Sequence, residues 1–380
     1  MKPIMYRFYP GVSQNKIRLI KAADRVLNLF NAPVKAVAIK SVTIVQLAHI
    51  GDLLLILPAV KKLKLISNLK VNLVVNRQNY HIASKLNFVD EVIVADAPWF
   101  ARGTKAGYYN FIKQLGGIKT DLIFDVRGDF RNNIFIKLFT KSKVFAGYNV
   151  GGGGGLLNKV LPYQFGGHAS GFLDPLFDYL ELPDIGFETC WNIDDVPFEP
   201  VTNISFPAKF VVVHLGAGAQ SRRWPVENFI EVIKAVANST PVLVLGTDSD
   251  ATPEQLALIS AIPNVVNCVG KYSLLQAIYI VKRCSLFVGL ESGFSHIAAM
   301  LKRKIICLFS GTSNINVWQP HSFFKGQVVT ISQQVPCNMI TGCGKSVCDD
   351  NICMKQISPL KVANLINQRL NDERPVDVDW

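Results

Sequence analysis

Two successive sets of short apolar strands, each strand followed by a helix-like stretch, constrain this 380-residue chain more than any other feature. Val42–Ala48, Val71–Val75, Glu91–Ala95 and Leu122–Val126 read as strands of a first set, with helical stretches such as Tyr80–Leu86 and Tyr108–Leu115 between them. Phe210–His214, Pro241–Leu245, Val265–Cys268, Ser285–Val288 and Ile305–Phe309 read as strands of a second set. Helices are expected there over Val226–Val236, Glu254–Ile259 and Leu274–Lys282, with a final one over Ser358–Leu370. Strands that are apolar throughout need cover on both faces, and a parallel sheet flanked by helices provides it. Between the sets, Pro183–Pro207 is rich in Pro, Asp and Glu without periodicity and reads as a linker. The expected organisation is a basic extension (1–40), an α/β domain (41–195), a second α/β domain (205–357) and a C-terminal helix and tail (358–380). Two consecutive α/β domains invite a ligand in the cleft between them, at the C-terminal ends of the strands.

With 49% hydrophobic and 18% charged residues the chain can bury two large cores, and nothing in it reads as disordered. Its net charge of +12 is concentrated at the start: residues 1–40 carry eight lysines and arginines against Asp24 alone. Such an extension can meet a phosphorylated substrate, an anionic membrane surface or nucleic acid. The last lacks support, because no basic helix with base-reading residues and no aromatic stacking platform is present. Within the extension, Ile17, Ile20, Ala23, Val26, Leu27 and Phe30 recur at helical spacing, so Lys16–Phe30 reads as an amphipathic helix. It either docks on its own domain or lies on a membrane surface. No apolar run reaches the roughly 18 uninterrupted residues of a spanning helix. The N-terminus also lacks the pattern of a cleaved secretion signal, so a cytoplasmic location with reduced thiols is expected.

Several loops carry polar residues where chemistry is possible. Gly289–Ala299 (GLESGFSHIAA) reads as a strand opening into a helix through Glu291, Ser292 and Gly293. The unpaired N–H groups at such a junction suit a diphosphate, although Ser292 also reads as a plain N-cap. His214–Pro225 (HLGAGAQSRRWP) places Gly216 and Gly218 after a strand but fails as a dinucleotide fingerprint, because Ser221 occupies the third glycine position. Pro225 also sets the helix start too late for that use. Arg222 and Arg223 there are either phosphate contacts or solvated surface residues. Asp52, just after the first strand, can act as a general base or serve a helix start. His296, one turn into its helix, can bond phosphate oxygens or fix the loop. Asp248, Asp250 and Glu254 follow a strand of the second set, where a carboxylate can meet ribose hydroxyls. Five glycines, 151–155, mark either a mobile loop or a backbone packed close to something. Cys337, Cys343, Cys348 and Cys353 fall within seventeen residues and are either free thiols or a structural Zn or Fe site.

Taken together these loops resemble glycosyltransferase family 9, the heptosyltransferases. GLESGFSHIAA resembles the family segment D-[ST]-G-x-x-H-x-A-A, and HLGAGAQSRRWP its H-x-G-[AS]…[KR]-x-W-P loop. QLAHIGDLLLILPAV is similar to the opening R-x-[SD]-x-[IL]-G-D motif, DLIFDVRGDFRN to D-L-x-[IV]-D-x-[QRH]-G, and GYNVGGGGGLLN to the glycine-rich segment. The resemblance runs from Val42 to about Leu370 and leaves the extension outside it. It implies a GT-B fold, two Rossmann-like domains with parallel sheets facing across a cleft, the first binding acceptor and the second the nucleotide-sugar. It also implies ADP-heptose as donor, inversion at the anomeric carbon, and no cofactor for catalysis. Carried over by position, Asp52 is the base and Arg222, with Arg223 beside it, neutralises the diphosphate. Ser292, Gly293, Phe294 and His296 line the phosphate site, and Glu254 meets the ribose. Glu291, also on the donor side, stands where the family usually has Asp, which implies shifted contacts to the donor sugar, and Gln46 and Ala48–His49 replace the usual opening residues.

The expected activity is therefore metal-independent, inverting transfer of a sugar to an anionic glycolipid or glycan acceptor, such as lipopolysaccharide core. Residues 1–40 would supply contact with the inner-membrane surface. A heptosyltransferase acting on protein fits the same motifs. So does a non-catalytic sugar-nucleotide-binding or scaffold protein held together by the cysteine site.

Overall fold

The structure is a computed structural model, and it describes residues 13–29, 37–100, 107–164, 166–183, 185–186, 190–337, 343, 348 and 350–372. Expectations for residues 1–12, Phe30 and the tail beyond Asp372 lie outside the described residues. The chain divides into two compact units, Met1–Trp191 and Asn192–Trp380.

Each unit is built on one six-stranded sheet. The first carries β1 (Ser41–Gln46), β2 (Lys70–Val75), β3 (Glu91–Val94), β4 (Lys119–Asp125), β5 (Lys141–Gly147) and β6 (Lys159–Val160) in the order β3-β2-β1-β4-β5-β6. The second carries β7 (Val211–His214), β8 (Val242–Leu245), β9 (Val265–Asn267), β10 (Leu286–Leu290), β11 (Lys304–Leu308) and β12 (Val328–Ile331) in the order β12-β11-β10-β7-β8-β9. All neighbours in both sheets run parallel. Counted from its own first strand, each sheet has the Rossmann order, which reverses direction between its first and fourth strands. The central strands are buried along most or all of their length, as their unbroken Val, Ile and Leu runs require. Helices cover the faces; Phe229, Ile233 and Val236 of the helix Val226–Ala237 pack with Val362 and Ile366 of the helix Pro359–Asn371 in the second core. That terminal helix thus belongs to the second unit.

β5, β6 and β12 go beyond the strands read from the sequence, and β12 follows Ile305–Phe309 in the chain. β5 opens on Lys141-Ser142-Lys143 and only its second half is buried, while β12 is half-buried throughout as an edge strand. β5 is apolar only over Val144–Ala146, whereas β12 (VVTI) carries a short β-branched run of the kind that marks a strand, which the sequence reading omits.

The extension contributes a helix, Gln14–Leu29, which docks on the first unit. Its seat is the glycine run. Asp24, fully buried, accepts the Gly153 N–H at 3.0 Å and 3.1 Å with its two carboxylate oxygens. A Cβ on Gly152 would run into Ile20 Cγ2, and one on Gly155 into the Asp24 carbonyl oxygen. Gly152 and Gly153 also take φ of 94° and 86°, which side chains resist. Gly152 and Gly155 are there because a helix lies against the backbone, while Cβ atoms on Gly153 and Gly154 would meet Asn133 and Asn149 of the unit itself. Among the described residues no helix is long and apolar enough to cross a membrane.

Candidate functional site

In the first sheet the switch point falls between β1 and β4, paired from Val42↔Leu122 to Val45↔Asp125. The loop after β1 is held by its own polar residues. Asn76 Nδ2 donates to the Leu47 and Ala48 carbonyls at 3.2 Å and 2.7 Å, and Asn79 Nδ2 to the Ala48 carbonyl at 2.9 Å. Gln46 accepts the Ala48 N–H and donates to the Asp52 carbonyl, so this departure from the family pattern braces the turn. Asp52 lies in the first turn of the helix Ile50–Ile66, with His49 at its N-cap. Its Oδ1 accepts a 2.5 Å hydrogen bond from Arg127 Nη1, a partner 75 residues away.

Arg127 leaves the end of β4, and the turn that aims it is set by Asp125. That buried carboxylate accepts the Gly128 N–H at 2.7 Å and Asn132 Nδ2 at 2.9 Å. Burial pushes its pKa up to about 7 against the pull of those two bonds. Gly128 has φ of 65° and a Cβ there would sit 2.6 Å from the Tyr148 carbonyl oxygen, so the turn admits only glycine. Arg127 also lies over the Phe100 ring at 5.7 Å. Neither Asp125 nor Arg127 was assigned a role from sequence, although both lie in the DLIFDVRGDFRN motif; what joins them to Asp52 is strand order.

The second sheet switches between β7 and β10, paired from Val211↔Leu286 to Val213↔Val288. β10 opens into the helix Gly293–Met300, with extended Ser292 at the N-cap position. Ser292 makes no capping bond, and its buried Oγ has no hydrogen-bond partner among the described residues. The first-turn N–H groups at Gly293 and Phe294 therefore begin the helix without a side-chain cap, an arrangement that attracts anions. Phe294 stacks on His214 at the end of β7, centroids 4.5 Å apart and 25° between planes. Burial lowers the His214 pKa to about 4, so the ring is neutral near pH 7. His296 is buried one turn further along.

After β7 the loop passes through a 3-10 turn, Gln220–Arg222, and the next helix begins at Val226 with Pro225 as N-cap. Trp224 anchors it: the indole is buried edge-on to Phe229 and donates to the Ile357 carbonyl at 3.3 Å. Arg222 is thereby brought to the helix start, where Nη1 lies 3.3 Å from the buried carboxylate of Glu291. Arg223 turns elsewhere, pairing with Asp250 at 3.0 Å and donating to the Ser249 carbonyl at 2.9 Å. Asp250 is already engaged by the Thr247 N–H and hydroxyl. Of the three carboxylates after β8, Asp248 and Glu254 are exposed. Glu254 lies in the first turn of the helix Pro253–Ser260, held below the usual range by a backbone N–H and the Thr252 hydroxyl.

All four clustered cysteines are free thiols. Cys353 is buried and accepts the Gly311 N–H at 3.4 Å, while the Cys343 N–H donates to the Gly311 carbonyl. Cys337 is exposed and Cys348 half-buried. Among the described residues no group of three or more His, Cys, Asp or Glu side chains gathers as a metal requires. As placed, the four thiols do not fit the tetrahedral Zn or Fe site entertained from their spacing.

Two Rossmann-like sheets in one chain, each with polar loops at its switch point, define the GT-B class of glycosyltransferase fold. Residues 108–343 match the model of glycosyltransferase family 9 (heptosyltransferase), and the chain belongs to that family of enzymes. Lipopolysaccharide heptosyltransferase 2 of Salmonella typhimurium is 30% identical over 98 residues, which cover 24% of this chain and 28% of that protein. A glycosyl transferase family 9 structure from Veillonella parvula matches at a TM-score of 0.67 with 17% identity, over 89% of this chain and 99% of that one. E. coli heptosyltransferase WaaC with ADP matches at 0.64 with 18% identity, over 87% and 99%; WaaC also has a structure with ADP-2-deoxy-2-fluoro heptose.

Proposed function

We propose that this chain is an inverting heptosyltransferase that moves heptose from ADP-heptose to a hydroxyl of lipopolysaccharide core or another surface glycan, with Asp52 as general base. Family membership supports the sugar class, and the ligands of the E. coli relative support the donor. The observation that carries the reading is a division of labour between the two switch points. One presents a carboxylate oriented by an arginine, and the other an uncapped helix start with a guanidinium beside it.

In this reading the acceptor hydroxyl gives its proton to Asp52 as its oxygen bonds to the anomeric carbon. The bond from that carbon to the diphosphate oxygen breaks with inversion, and ADP leaves with the electron pair. Its growing charge is met by the N–H groups of Gly293 and Phe294, the Ser292 hydroxyl and Arg222. Glu291 orients Arg222 and faces the donor sugar, while Phe294 and His296 wall the phosphates. Arg223 holds the loop through Asp250. Glu254 is the ribose ligand, its exposed carboxylate accepting from sugar hydroxyls. Because protein groups supply all of this stabilisation, the transfer needs no metal. The corresponding location is the cytoplasm.

The test is a calorimetric binding panel of ADP, GDP, UDP and CMP, followed by mass spectrometry of transfer from the matching sugar nucleotide. ADP is expected to bind best, and Asp52→Asn to keep that affinity while turnover falls roughly 100-fold or more. An Asp52→Asn protein that turns over like the parent would remove the base, and a parent that binds ADP without transferring anything would leave only a binding protein.

A further inference from the structure

The helix Gln14–Leu29 has two apolar faces, and the first unit uses only one. Ile20, Asp24 and Asn28 meet the glycine seat, and Ile17 and Leu27 on the same side are half-buried. At 3.6 residues per turn, Leu19, Ala22, Val26 and Leu29 fall within about 80° of one another on the opposite side. That side is open: Leu19 is 72% exposed, Val26 55% and Leu29 77%. Arg18 and Arg25 run along one edge of the stripe and Lys16 along the other, all exposed. The only acid among residues 1–40 is Asp24, and its carboxylate is spent on Gly153 at the inner face. Apart from Asn15 at its N-terminal end, the outer face is therefore apolar at its centre, and the only charges at its rim are positive.

The rim decides the occupant. A second copy of the same face would set arginine against arginine with no carboxylate to separate them. A nucleic acid would use the cations and leave the leucines in water. An anionic bilayer satisfies both, phosphate at the edges and acyl chains under the centre. We propose that this outer face is a docking surface for an anionic lipid bilayer, with Leu19, Val26 and Leu29 entering the interface and Lys16, Arg18 and Arg25 meeting headgroup phosphates. Because the inner face is already packed, the helix is folded before it meets lipid, and no ordering cost is added at binding. The inference stands on the helix alone and is independent of the transferase reading.

The full chain is tested by co-sedimentation with phosphatidylcholine vesicles, with and without phosphatidylglycerol. Binding is expected only with the anionic lipid, and it should weaken as salt is raised. Leu19→Glu with Val26→Glu, and separately Arg18→Glu with Arg25→Glu, should each lower the bound fraction about 10-fold or more. Both variants should keep the parent's Tm and affinity for ADP, which reports the second unit. Wild-type protein that ignores anionic vesicles, or variants that bind them as the parent does, would overturn the proposal. So would a concentration-dependent dimer that Leu19→Glu abolishes. Absence of ADP binding alongside intact vesicle binding would instead count against the donor reading alone.

Discussion

His214 and Asp125 are buried titratable groups whose burial acts in opposite directions. His214 is held at about 4 in the folded chain against an ordinary 6.5, so it favours folding fully above pH 6.5 and loses that contribution as pH falls toward 4. Asp125 is raised to about 7 from 3.8, so its contribution is full below pH 3.8 and is lost as pH rises through 7. His214→Gln removes the imidazole's contribution and leaves that of Asp125. Between pH 7 and pH 5 the Tm of this variant is therefore expected to fall less, or to rise more, than that of the parent. Identical slopes would mean that the imidazole is better solvated than its place between Phe294 and Phe287 implies. Individual residues were partly legible in sequence: Asp52, Arg222 and Ser292 are marked by motif. Arg127 was not, because its significance is a bond to a residue 75 positions away, and no local pattern encodes that.

The N-terminal helix and the glycine run depend on each other. The helix was legible from its 3.6-residue period, and the run from its composition, but not that one is the seat of the other. Asp24 and Gly153 lie 129 residues apart. Asp24→Ala would leave the buried Gly153 N–H without its acceptor, a loss of about 1–3 kcal/mol. Gly155→Ala would drive a methyl group into the Asp24 carbonyl and cost about 1–3 kcal/mol by overpacking. Urea unfolding of both variants checks this, with Gly167→Ala, where a Cβ meets only ordinary contacts, as the control. A destabilisation no larger than the control's would show that the helix contributes little to its unit. Of the strands missed from sequence, β6 has the same kind of cause. Only two residues long, it is recognisable because Ala146–Gly147 offers it a partner at Lys159–Val160.

At the scale of the whole molecule, one strand order occurs twice, and the sequence announced both occurrences by alternating strands and helices. What it left open was which polar residues share a switch point, since that follows from chain reversal and not from spacing. The doubling also predicts an asymmetric response to nucleotide. ADP should protect backbone amides around residues 286–300 and 214–224 from hydrogen exchange, and leave residues 41–52 and 119–133 near their unliganded rates. Equal protection of both regions would place the nucleotide elsewhere.

The bare start of the helix Gly293–Met300 carries a consequence of its own. Ser292 stands at the position where a serine ordinarily completes a helix, yet its hydroxyl makes no such bond. If a diphosphate is the missing partner, part of the protein's cohesion resides in its substrate, and rises with the logarithm of donor concentration. A cell short of sugar nucleotide would then hold a softer molecule, one that opens more often to proteases, and its abundance would follow the supply of what it consumes.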